Sequence, residues 1–167
     1  MPRVRADDAD SALAPSDELK ISPIRLESYV PFFLGSIANK WTAVSSRAYR
    51  DRFDLGIGEW RVLASLAVKD AASSIEISKL VKMDNGAVSR SMRVLEERGL
   101  VLPLKGRFTG RTKPYLLTER GTQTFEAMKA MALEREQKLL DPLDPDQRTK
   151  LLQLLSELYR TLDDLDQ

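Results

Sequence analysis

Hydrophobic positions recur along this chain with two different periods. Leu34, Ile37, Trp41, Val44 and Ala48 fall at three- and four-residue steps, the spacing of one face of a helix. Pro31 suits the first turn of that helix, where its missing N–H is not needed, and the pattern runs out near residues 53–56. Trp60, Leu63, Ala64 and Ala67 predict a second helix over 58–69. The segment "SSIEISKL" then supplies a capping box, Ser73 with Glu76, for a short third helix reaching about Lys82. Asp84 is the N-cap of a fourth helix, and Gly99 is its left-handed stop. After Gly99 the period shortens: Leu100–Leu104 and Tyr115–Leu117 are brief apolar segments around a glycine-containing basic loop, a hairpin signal.

Two long helices complete the pattern. Thr118 caps the first, which carries Phe125, Met128, Ala132 and Leu139. The turn "DPLDPDQ" then places Asp144 as N-cap, Pro145 at the first helical position and Gln147 at the third. The last helix bears Leu151, Leu154, Leu155, Leu158 and Leu162, with Leu152, Tyr159 and Leu165 beside them. Any single leucine of this set is compatible with intrachain core. The stripe as a whole is too wide for a lone surface helix and favours a partner subunit. Residues 1–20 are rich in Asp, Ala and Pro with little periodicity, and residues 1–27 are expected to form a mobile N-terminal arm.

Composition narrows the chemistry. A chain of 167 residues with 43% hydrophobic residues sustains one sizeable core. It contains no cysteine and no histidine, which removes disulfides, thiolate chemistry, imidazole acid/base catalysis and the commonest zinc ligands. No nucleophile–base pair or Gly-rich phosphate loop is apparent, and Asp163, Asp164 and Asp166 read as a solvated tail. Neither an enzyme, a cofactor nor a metal site is expected. No apolar run approaches the roughly 18 residues of a membrane span, and the first 20 residues lack a signal peptide's order, so the expected location is cytoplasmic.

The 26 basic and 25 acidic side chains nearly cancel, but they are unevenly placed. Residues 74–120 carry a net charge of +5, residues 121–167 a net charge of −4. No carboxylate falls between Glu97 and Glu119, whereas Arg98, Lys105, Arg107, Arg111 and Lys113 do. A clustered positive region on a balanced protein points to a polyanion.

The fourth helix shows how such a partner is met. Val88, Met92 and Leu95 share one face, Gly86, Arg90 and Arg93 the opposite one, with Ser89 on the flank. Two helices joined by a three- or four-residue turn, the second opening with small polar residues and carrying arginines, describe a helix-turn-helix. Asn85, Gly86 and Ser89 are short enough to let the backbone approach a major groove. Arg90 and Arg93 supply planar forks for guanine or phosphate. Isolated arginines usually decorate a solvated face; the cap, the stop glycine and the basic hairpin together favour double-stranded DNA. Lys105, Arg107, Arg111 and Lys113 would then form a wing that neutralises phosphates.

In this order, "RFDLGIGEWRVLASLA", "EISKLVKMDNGAVSRSMRVLEERGLV" and "LLTERG" resemble the MarR-family winged-helix regulators over nearly all of the chain from about residue 28. One departure stands in the wing. The family's aspartate followed by two arginines is replaced here by Thr109, Gly110 and Arg111, which leaves Arg111 the minor-groove role, or Arg107 in its stead.

The resemblance implies a mainly α fold with a small β-hairpin wing: a winged helix-turn-helix domain over 58–118 and a helical dimerisation region over 28–57 and 119–167. It further implies a homodimer on a pseudo-palindromic operator with half-sites roughly 34–36 Å apart. The acidic balance of residues 121–167 fits a dimer body held away from DNA. It also implies repression, relieved by a small aromatic anion such as an aromatic carboxylate or its thioester. Trp41, Tyr49 and Trp60 are the expected ligand-binding residues, with Arg47, Arg50, Arg52 and Arg61 as anion partners. For Trp41 and Trp60 the plain alternative is core. The rival to the whole reading is a winged-helix module for protein contact or nonspecific DNA binding; the near-zero net charge disfavours nonspecific DNA packaging.

Overall fold

A computed structural model describes residues 25–106, 108 and 112–165. It comprises an N-terminal unit ending at Asn39 and a larger unit beginning at Lys40. In the N-terminal unit a 3-10 turn, Leu26–Ser28, leads into α1 (Val30–Phe53). Tyr29, Phe32, Phe33, Leu34 and Ile37 are all exposed there, and the Phe32 and Phe33 rings meet edge-on at 5.7 Å.

In the larger unit, α1 buries Ser45 and Tyr49 and half-buries Trp41 and Phe53, a stripe at four-residue steps. Val44, one position out of phase with it, stays exposed. Only part of the predicted apolar face of this helix is covered by its own chain: Trp41 and Ala48 are half-buried, a small Ser45 admits a neighbour closely, and the larger aliphatic residues are left over.

The caps at Ser73, Asp84, Gly99, Thr118 and Asp144 are formed by the residues that the sequence nominates, and the structure adds one at Gly56. Glu59 reaches back to the Gly56 N–H at 2.7 Å and opens α2 (Ile57–Lys69). The Ser73 N–H donates to Glu76 Oε2 at 2.8 Å and the Ser73 hydroxyl accepts from the Glu76 N–H, starting α3 (Ser74–Val81). Asp84 Oδ1 accepts from the Ala87 N–H at 3.0 Å at the head of α4 (Asn85–Glu97). Gly99 lies at φ +66°, the left-handed conformation that ends a helix without a Cβ clash.

Beyond it, β2 (Val101–Pro103) and β3 (Pro114–Leu117) pair antiparallel with Val101 opposite Leu117 and Pro103 opposite Tyr115. The sheet has a third strand, β1 (Ala72–Ser73), paired to β3 so that the order is β1-β3-β2. Two residues cannot display a period, which is why sequence pattern alone misses it.

Packing centres on α2, which meets α3, α4, α5 (Glu119–Leu140) and the sheet. Leu63 and Leu66 of α2, Ile77 of α3, and Val88 and Leu95 of α4 are essentially solvent-free. The first turn of α5 lies on the sheet: Thr118 Oγ1 accepts from the Gly121 N–H at 2.9 Å, and a Cβ on Gly121 would overlap the Leu100 carbonyl. Asp144 and Gln147 form the reciprocal box that opens α6 (Pro145–Leu165), at 2.8 and 3.0 Å. On α6, Leu152, Leu154, Leu155, Leu158, Tyr159, Leu162 and Leu165 are all exposed.

Candidate nucleic-acid interface

The turn between α3 and α4 is three residues, Lys82 to Asp84, with Lys82 in the left-handed region at φ 49°. This fixes α4 against the core by Val88, Met92 and Leu95, with Ser91 also buried. Gly86, Arg90 and Arg93 are exposed on the other side; Asn85 and Ser89 are half-buried. Neither Arg90 nor Arg93 is held in an ion pair among the described residues. Asn85 Oδ1 is buried without a hydrogen-bond partner among them. The five α4 residues nominated from sequence thus occupy a single exposed-to-half-buried surface at and behind the positive end of a helix.

The basic cluster divides in the structure. Arg98 is spent within the protein: its guanidinium meets Asp54 Oδ2 at 2.7 Å, and its carbonyl accepts from Arg120 at 3.2 Å. Lys105 is exposed on the wing, while Lys113 is half-buried with Nζ 5.4 Å from the centre of the Tyr115 ring. Arg107 and Arg111, like Thr109 and Gly110, lie outside the described residues.

Behind this surface, Trp41, Tyr49 and Trp60 come together. With Ile57, Ala132, Leu133, Glu136 and Leu139 they line a cleft of about 390 Å³, within the range of small-molecule sites. The Tyr49 and Trp60 rings are 5.9 Å apart, and Trp60 stacks on Phe125 at 5.6 Å.

The cation beside the cleft is not one of those expected. Arg47 and Arg50 are exposed, Arg52 lies over the Phe53 ring at 5.7 Å, and Arg61 leads no ring or ion-pair contact in the cleft. No cation is among the described residues that line the cleft; Arg135 of α5 adjoins its Trp41 wall, with the guanidinium 5.5 Å from the Trp41 ring centre and Nη2 3.5 Å from Ser45 Oγ. Its Nε is buried with no hydrogen-bond partner among the described residues. Burial pushes the Tyr49 hydroxyl above its ordinary pKa, and the Arg135 charge pulls partly against that. Sequence did hold a signal for Arg135. It falls in phase with Phe125, Met128, Ala132 and Leu139, a charge where the stripe calls for an apolar residue.

No family model matches the sequence. The fold superposes with TM-score 0.77 on a MarR/EmrR family transcriptional regulator from Acinetobacter sp. ADP1, 30% identical, over 84% of this chain and 99% of that one. The chain belongs to the MarR family of transcriptional regulators. Its function is accordingly regulatory and not enzymatic. A mutant MarR from E. coli complexed with operator DNA shares the fold at TM-score 0.66 and 22% identity, over 77% of this chain and 94% of that one. The HTH-type transcriptional repressor IacR of Pseudomonas putida is 26% identical over 141 residues, 84% of each chain. Among the described residues no helix is long and apolar enough to cross a membrane, and no group of acidic side chains is placed to hold a metal ion.

Proposed function

We propose that this MarR-family protein is a homodimeric repressor that reads a pseudo-palindromic operator with α4 and leaves it when a small aromatic anion enters the cleft. The observation that carries the DNA reading is the sidedness of α4: two guanidinium groups, Arg90 and Arg93, without an ion-pair partner among the described residues and opposite the buried Val88, Met92 and Leu95. A rigidly docked helix presenting arginine forks is the arrangement that major-groove readout requires. Asn85, Gly86 and Ser89 bring the helix end close to the groove, and Lys105 and Lys113, with Arg107 and Arg111, complete a phosphate-contacting wing.

Dimerisation is supported by the apolar residues that the chain leaves exposed on α1 and α6, more than a monomer's scattered surface leucines. Residues 28–57 and 119–167 form the dimerisation region on this reading, and 58–118 the DNA-reading lobe. The effector reading rests on the unpartnered Nε of Arg135 beside an aromatic cleft. A carboxylate accepts from such a donor, and Trp41, Tyr49 and Trp60 suit a ring. The exposed Glu136 at the cleft orients the anion away from itself.

The test is binding to duplex DNA from immediately upstream of the protein's own gene, against scrambled duplex, across a salt series. Tight, saturable, salt-steep binding of two subunits per site is expected. Arg90→Ala or Arg93→Ala relaxes base discrimination where the side chain reads a base edge, and weakens all sequences alike where it meets phosphate. Equal weak binding to both duplexes would leave a distant operator or the protein-contact reading, and loss of salt dependence altogether would count against DNA as the partner.

A further inference from the structure

One side chain outside the nominated set touches both elements of the proposed DNA surface. Tyr115 sits in the middle strand of the sheet, its backbone paired with Ala72 on one side and Pro103 on the other. Its hydroxyl donates to Glu96 Oε2 at 3.0 Å, on the last turn of α4. Its ring lies under Lys113 Nζ at 5.4 Å. Tyr115 therefore ties the end of the recognition helix to the cation at the base of the wing.

We propose that Tyr115 is a positioning residue that sets the wing relative to α4, so that Lys113 meets a phosphate while α4 occupies the major groove. The inference rests on the operator reading above. Three features support it. The backbone of Tyr115 is fixed by strands on both sides, so its side chain is a rigid lever. A lysine has a long flexible stem, and holding its ammonium over a ring reduces the ordering that binding must otherwise impose. Glu96 accepts from the phenol at 3.0 Å and so anchors the Tyr115 side chain to the last turn of α4. Burial, then the hydrogen bond to Glu96 and its charge, hold the Tyr115 hydroxyl above its usual pKa, so it remains a donor through neutral pH.

The experiment uses the full chain, two duplexes and a salt series. The long duplex includes the outer flanks where the wings land; the trimmed duplex ends at the major-groove half-sites. Tyr115→Phe keeps the ring and removes the hydroxyl; it is expected to lose roughly three- to tenfold in affinity on the long duplex, to match wild type on the trimmed one, and to keep its thermal midpoint. Glu96→Ala, which leaves the sheet untouched, gives the same flank-confined loss, whereas Glu96→Gln retains an acceptor and recovers most of the affinity.

Lys113→Ala separates the two readings. Loss of one phosphate contact per subunit flattens the salt slope on the long duplex by about 0.9 per contact. If Lys113→Ala flattens the slope and Tyr115→Phe leaves both duplexes unaffected, or weakens both equally with a lowered midpoint, the positioning role is overturned while the wing reading stands. If Lys113→Ala changes nothing, Lys113 does not meet phosphate and the inference falls with it.

Discussion

Arg135→Gln is the perturbation that most directly tests whether the cleft is an effector site. The guanidinium lies over the Trp41 ring, 5.5 Å from its centre, with a 3.5 Å contact to Ser45 and a buried Nε that has no partner among the described residues. Little fold stability depends on it. The Ser45 contact is at the limit of a hydrogen bond, the ring contact contributes about 0.5–1 kcal/mol, and glutamine removes an unsatisfied N–H. An effector carboxylate, by contrast, loses a charge-assisted hydrogen bond of about 1.5–3 kcal/mol, or roughly 10- to 150-fold in affinity.

The assay is intrinsic fluorescence. The chain has two tryptophans, Trp41 and Trp60, and both line the cleft. Benzoate, phenylacetate and naphthoate titrated against their uncharged amides should shift emission at lower concentrations than the amides do. That preference for the acid should vanish in Arg135→Gln, with the thermal midpoint unchanged. The same acids should release wild-type protein from its operator and fail to release the variant at matched concentration. Carboxylate affinity within twofold of wild type in Arg135→Gln would refute the reasoning, because none of the described residues lining the cleft is a cation and the preference for acid over amide is assigned to Arg135 alone.

Further predictions follow from the caps and contacts. Ser73→Ala removes the N-cap of α3 and should cost about 1 kcal/mol, read as a lower midpoint in thermal denaturation. The Ser73 backbone and then its hydroxyl hold the Glu76 carboxyl below the usual carboxylate range. Such a group stabilises the fold above its unfolded value, about 4.3, and ceases to do so as pH falls through its folded value. Glu76→Gln should therefore melt below wild type at pH 7, with the gap closing in acid; a constant gap would place its cause elsewhere. Gly121→Ala drives a methyl into the Leu100 carbonyl and should destabilise by at least the 1–3 kcal/mol typical of overpacking; a midpoint within 1–2 °C of wild type would show that the first turn of α5 can retreat, a shift of about 0.5 kcal/mol or less. Leu158→Glu on the exposed face of α6 should convert the proposed dimer to monomer by light scattering and abolish cooperative operator binding, while a dimer that survives it uses another surface.

The helices were legible because each boundary has a local cause. Gly56 with Glu59, Ser73 with Glu76, Asp84, Gly99, Thr118 and Asp144 with Gln147 lie within a few residues of the ends they set. The sidedness of α4 was legible for the same reason, since its buried and exposed residues alternate at the helical period. What escaped was set by partners distant in sequence. β1 exists because β3, more than 40 residues on, pairs with it. The α1 face that is buried was only partly legible because Ser45 and Tyr49 answer to α5, 90 residues away at Arg135. Arg98 looked like part of the DNA-facing charge, yet it is committed to Asp54 across 44 residues. A period of two puts Lys113 on the same face as Tyr115, but it cannot show Glu96, 19 residues back in the chain, so the tie to α4 stayed hidden.

The placement of α2 says how a ligand in the cleft would be felt by the DNA-reading helix. Ile57 and Trp60 face the cleft, while Val62, Leu63 and Leu66, on the same helix, are buried in the core shared with Val88, Met92 and Leu95 of α4. Close-packed interiors transmit displacement instead of absorbing it, so α2 and α4 move as one body. A ring seated against Trp60 that requires α2 to shift shifts α4 with it. The ligand changes operator affinity only by its preference for one arrangement over the other. Each tenfold of release needs about 1.4 kcal/mol of that preference. One carboxylate on the Arg135 guanidinium, made in the DNA-free arrangement and strained in the DNA-bound one, is enough to supply it. An anion that binds the cleft equally well with and without operator present would show that this coupling is absent, however tightly it binds.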